Sequence, residues 1–127
     1  MRCIALGQAW RALGFGEVTL LSLCLPEALA ERARLEGFAV VPVSAGVPGS
    51  SEDLAHTLAT VGAAPVVLDG YGFGPEFQAA VAARGATVVM DDVVDRARYV
   101  GDVLVNQNPH ASASLYNGRM ERGTVLL

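Results

Sequence analysis

Residues 64 to 75 read A-P-V-V-L-D-G-Y-G-F-G-P. The β-branched and aliphatic run Val66, Val67, Leu68 suits a buried strand, and it is cut off by Asp69. A tyrosine between glycines follows, and Pro75 then opens a helical pattern in the first-turn position that proline tolerates. This is a strand that ends in a turn and feeds a helix. In open α/β sheets ligands sit beyond the carboxyl ends of the strands, so Asp69 and Tyr71 are the first candidates for ligand contact.

The same strand, turn and helix unit recurs on both sides of this stretch. Upstream, helical spacing of Leu6, Trp10 and Leu13 predicts a helix over 1 to 13 that stops at Gly14. Val18 to Leu25 predicts a strand, Pro26 to Leu35 a helix with Ala28, Leu29, Ala33 and Leu35 available for burial, and Ala39 to Val43 a strand. A Gly/Pro loop over 44 to 49 then leads to a helix capped by Ser50 or Ser51, with Leu54, Leu58 and Val61 on one stripe. Downstream, the pattern predicts a helix over Pro75 to Arg84 with Phe77 and Val81 inward, and a strand over Ala86 to Met90. A short helix over Val93 to Tyr99 capped by Asp92 and strands at 103 to 105 and 124 to 127 complete it. Strands alternating with helices of this length predict a Rossmann-like parallel sheet with helices on both faces. No strand precedes the first helix, so the expected sheet either has a central slot filled by another chain or closes by pairing the Val18 strand with the Val66 strand.

Composition narrows the function classes. The chain has 127 residues, one domain's worth, and 52% hydrophobic residues. Mean hydropathy is +0.39, but no apolar run approaches the roughly 20 residues of a membrane-spanning helix. No signal-peptide core forms before Gln8 and Arg11, so a cytoplasmic, non-membrane protein is the expectation. A net charge of -4 offers no general attraction to nucleic acid. The basic pairs Arg32/Arg34 and Arg96/Arg98 read as solvated helix faces. Cys3 and Cys24 lack metal-ligand spacing and read as small core hydrophobes; no metal and no cofactor are expected.

Three predicted strands end in polar residues: Asp69 with Tyr71, then Asp91 and Asp92, then Asn106, Gln107 and Asn108. Neighbouring parallel strands would bring these ends to one edge. Carboxylates, amides and a phenol together both donate and accept, which suits a hydroxyl-rich ligand. Gly70, Gly72 and Gly74 match neither G-x-G-x-x-G nor the phosphate-binding P-loop. His56 falls within a helical pattern, while His110 follows Asn108-Pro109 and stands closer to the expected site.

The segments M-R-C-I-A-L-G-Q-A-W at 1 to 10, D-G-Y-G at 69 to 72, D-D at 91 to 92 and D-V-L-V-N-Q-N-P at 102 to 109, with A-S-L-Y-N-G after them, carry a resemblance. The chain resembles the N-terminal half of the nucleotide-sugar hydrolases that release UDP from a UDP-linked diacetamido-trideoxy sugar in pseudaminic acid biosynthesis, and the related spore-coat polysaccharide proteins. The resemblance implies the sugar-side domain of a glycosyltransferase-B-like fold, partial over 1 to 127 and lacking its first strand, with the nucleotide-binding domain absent. It implies that Arg2, Asp69, Tyr71, Asp91, Asp92, Asn106 and Asn108 line the sugar side of a cleft. The family's assisting histidine ends a G-x-G-H loop that would precede Met1, so no catalytic residue is assigned and the chain alone is expected to be inactive. Its partners would be a UDP-sugar or free sugar and a separate C-terminal half or a second copy. Two other readings stay open: the acceptor half of a glycosyltransferase, and a non-catalytic sugar-binding or assembly module.

Overall fold

A computed structural model describes residues 2–44 and 46–127. Met1 and Ala45, assigned above to the first helix and to the 44 to 49 loop, lie outside the described residues. The protein is an α/β fold whose strands are all parallel. Its elements are α1 (Arg2–Ala12), β1 (Thr19–Ser22), α2 (Glu27–Leu35), β2 (Ala39–Pro42), α3 (Ser51–Val61) and β3 (Val66–Asp69). They continue with α4 (Pro75–Ala82), β4 (Thr87–Met90), β5 (Val103–Val105), a 3-10 turn (Ala113–Tyr116) and β6 (Thr124–Leu126).

The strands form two sheets. β1 pairs only with β2, and β3, β4, β5 and β6 pair in that order. Pairing of the Val18 strand with the Val66 strand does not occur among the described residues; β1 and β3 each keep one edge without a strand neighbour. Unpaired edges of this kind present free backbone donors and acceptors. In the larger sheet Leu68 is in register with Val89, and Val89 with Leu104. Side chains in register share a face. That face is buried, under Leu54 and Leu58 of α3, Phe77 and Val81 of α4, and the pair Tyr99 and Tyr116. The alternate residues Val67, Val88 and Val103 stay half-buried to exposed.

The smaller sheet has its own core of Ile4 from α1, Ala33 from α2 and Phe38, with Val18, Leu20 and Val40 packed on it. The residues whose spacing predicted α1 do not form its buried face. Leu6 and Leu13 are exposed and Ile4 and Gly7 are buried, because a Cβ on Gly7 would stand 2.7 Å from the Phe38 ring. The helix therefore turns its smallest residue to the ring it packs on. Leu35 is likewise corrected: it ends α2 at 83% exposure while Ala30 and Ala33 face inward.

Helix starts follow local chemistry. Ser50 caps α3 by accepting from the Asp53 amide, and Asp53 reciprocates by accepting from the Gly49 amide at 2.7 Å. Gly74 and Pro75 open α4. The helix expected over Val93 to Tyr99 does not form. Asp91 Oδ2 accepts the Val94 amide, and Val94 itself lies at a φ of 54°, which an α-helix cannot contain. Asp92 is accordingly not a helix cap. The side chain of Arg119 ties this segment down by donating to the carbonyls of Val94 and Arg96.

Candidate functional site

β3 and β4 deliver Asp69 and Met90 in register at their carboxyl ends, so Asp91 and Asp92 emerge beside Asp69. A pocket of about 50 Å³ opens there, lined by Arg2, Asp69, Tyr71, Asp91 and Asp92 together with Arg96, Gln78 and Tyr99. Five of the seven residues expected on the sugar side thus meet around one cavity. No helix of the described chain is long and apolar enough to cross a membrane.

Arg2, at the start of α1, is the centre of the arrangement. Its Nη2 and Nε donate to Asp69 Oδ1 at 2.5 and 3.0 Å, and its Nη1 donates to Asp92 Oδ1 at 2.5 Å. One guanidinium therefore bridges the ends of two strands and fastens α1 to the larger sheet. Charge-assisted bonds of this kind are roughly twice as strong as neutral ones. Cys3 donates from Sγ to Asp69 Oδ2 at 3.0 Å. Burial works against an ionised Asp69, but the bonds from Arg2 and Cys3 outweigh it and hold the carboxyl below the usual range.

Cys3 is consequently not a plain apolar filler but a hydrogen-bond donor. Burial, and after it the neighbouring Asp69, pushes its thiol up to about 12. Cys24 is exposed, which corrects its assignment to the core. Iodoacetamide at pH 8 is expected to alkylate Cys24 in the folded protein and spare Cys3 until denaturant is added. Mass spectrometry of the two cysteine peptides checks this, and equal labelling would show that the Cys3 environment is wrong.

Tyr71 is 67% exposed and its hydroxyl reaches Asp92 Oδ2 at 3.5 Å. Its loop is held from two sides. Arg96 donates to the Tyr71 carbonyl, and Gly72 approaches Pro48 and Gly49 so closely that an added Cβ on Gly49 would fall 1.9 Å from the Gly72 oxygen. Gln78 donates from Nε2 to the Phe73 carbonyl and accepts the Val100 amide through Oε1. Arg96, read from sequence as part of a solvated face, is instead a wall of the pocket.

Asp91 is 6% exposed and accepts from the Tyr116 hydroxyl at 2.7 Å as well as from Val94. Burial, then the bond to Asp91, pushes the Tyr116 hydroxyl upward, so it stays protonated and donates. Asn106 and Asn108 do not line the pocket. Asn106 is 1% exposed, donates to Tyr116 at 2.6 Å and accepts the Asn108 amide at 3.0 Å, so its amide is used internally. Asn108 donates to the Asp92 carbonyl at 2.7 Å and so positions Asp92 from behind. His110 is exposed and is not among the lining residues.

Sequence reasoning missed Arg96, Gln78 and Tyr99. Arg96 and Tyr99 sit on a segment whose helical pattern was the stronger local signal, and Gln78 on a helix where a polar residue ordinarily faces water. Neither a protein-family model nor a curated protein matches this sequence.

Proposed function

We propose that this chain is the sugar-side domain of a nucleotide-sugar-processing protein, and that the rim around Arg2 orients hydroxyl and amide groups of the sugar. The observation that carries the reading is the Arg2 bridge. It holds Asp69 and Asp92 beside an exposed tyrosine at the carboxyl ends of adjacent parallel strands, where α/β folds bind ligands. Paired carboxylates present acceptors, and Tyr71 adds a phenol able to stack on or donate to a sugar ring. The pocket is too small for a whole ring, so the ring would rest on the rim with one substituent inside.

The resemblance described above supplies the finer version. In that version the ligand is a UDP-linked diacetamido-trideoxy sugar, the reaction is hydrolysis that releases UDP, and the setting is the cytoplasm. A second reading, a non-catalytic sugar-binding module, has a specific observation in its favour. Asp69 is held in its ionised form by Arg2 and Cys3, which makes it a good hydrogen-bond acceptor and a weak general base.

Calorimetry with UDP and with N-acetylglucosamine, titrated separately, tests the proposal. Binding of the sugar without UDP is expected, and binding of UDP without the sugar would sink it. A UDP-release assay with UDP-N-acetylglucosamine and the diacetamido-trideoxy analogue separates the two readings, turnover favouring the hydrolase and binding without turnover the module.

A further inference from the structure

Tyr99 lies at the junction of the pocket and the larger sheet's core. Its ring is 0% exposed and meets Tyr116 edge to face, with centroids 5.7 Å apart. The two tyrosines differ at their hydroxyls. Tyr116 is bonded to both Asp91 and Asn106, whereas the Tyr99 hydroxyl is the one buried side-chain polar atom among the described residues with no hydrogen-bond partner. Buried hydroxyls are ordinarily paired, so an orphan at the edge of a cavity calls for an explanation.

The ring has no freedom to escape the problem. The Tyr99 amide donates to the Arg119 carbonyl at 2.7 Å and its carbonyl accepts from Glu121 at 3.2 Å, which pins the backbone on both sides. The groups nearest the hydroxyl are the Asp91 carboxylate and the Arg96 backbone, close enough to interact with it but outside hydrogen-bond geometry, and both residues line the pocket. Burial pushes the hydroxyl up to about 12, so it is a protonated donor at neutral pH. Beside it, Asp91 uses Oδ2 for Tyr116 and Val94, which among the described residues leaves Oδ1 as its free acceptor next to the Tyr99 hydroxyl.

We infer that the Tyr99 hydroxyl and Asp91 Oδ1 form the floor of a subsite for a neutral substituent that both accepts and donates, a hydroxyl or an amide. The inference rests on the reading of this rim as a ligand site. Size agrees, since about 50 Å³ holds one such group or a few waters and no ring. Charge agrees as well: Asp69, Asp91 and Asp92 face only Arg2 and Arg96, which disfavours an anionic substituent.

The test uses protein carrying ¹³Cζ-labelled tyrosine, with the Tyr99 resonance assigned by its loss in Tyr99→Phe. Acetamide and ethylene glycol are expected to shift that resonance saturably and acetate to leave it unmoved. Tyr99→Phe is expected to keep or raise the melting temperature and to weaken N-acetylglucosamine binding about three- to tenfold. A melting temperature several degrees lower in Tyr99→Phe would show that the hydroxyl has a partner inside the protein and would overturn the inference. So would a Tyr99 resonance indifferent to both neutral probes, or one that responds more to acetate. If acetamide shifts Tyr99 while the wild-type protein fails to bind N-acetylglucosamine, the sugar reading fails and the subsite stands.

Discussion

Gly49→Ala is expected to be strongly damaging, lowering stability by about 2–5 kcal/mol. Two independent costs combine. Gly49 has a φ of 76°, a left-handed conformation that costs an L side chain about 1–2 kcal/mol. The new Cβ would also stand 1.9 Å from the Gly72 carbonyl oxygen, which is backbone and cannot rotate aside. Forcing such a contact apart costs about 1–3 kcal/mol more. Because Gly72 follows Tyr71 directly, the relaxation must move the Tyr71 loop. Thermal unfolding is expected to show a melting temperature about 8–20 °C lower, at about 4 °C per kcal/mol for a domain of this size. Ligand binding should be lost with it. A drop of only a degree or two would mean that the two loops do not touch as described.

Arg2→Ala is the second large effect, and it should be visible in both stability and binding. It leaves Asp69 and Asp92 side by side without their shared cation and frees the start of α1 from the larger sheet. About a fifth of each side chain remains in contact with water, which places the loss near 1–2 kcal/mol rather than the 3–5 kcal/mol of a fully buried pair. Its pH signature is specific. The folded-state pKa of Asp69 is depressed, so the stability it contributes is present above the unfolded value of about 4 and is lost as pH falls through the lower folded value. The difference in melting temperature between wild type and Arg2→Ala is therefore expected to be full at pH 7 and to shrink steadily below about pH 4. A difference that stays constant through the acid range would dissociate Arg2 from Asp69.

The periodic parts of this chain were legible because one property repeated. The β-branched runs at Val66, Thr87 and Val103 each became strands near the expected bounds, and Ser50 and Pro75 opened the helices they were assigned. The failures share a cause. At Val93 to Tyr99 the apolar spacing favoured a helix, but Val94 is held at a φ of 54° in a segment whose carbonyls at Val94 and Arg96 are taken by Arg119, distant in sequence. In α1 the spacing of Leu6 and Leu13 predicted the helix but not its buried face, which a glycine took because a partner ring distant in sequence needed the space. Neither competition is visible in local pattern.

The site divides in the same way. The sequence by itself determined that polar residues would collect at strand ends, since alternation of apolar strands with helices makes the strands parallel and aligns their carboxyl ends. Only the tertiary structure decided their roles. It brought Arg2 across 67 residues to Asp69, turned Asn106 inward to Tyr116 and left the Tyr99 hydroxyl without a partner. A hydrogen bond depends on separations of a few tenths of an ångström, and these are set by how the two sheets, α1 and the 91 to 99 segment pack together rather than by the order of residues along the chain.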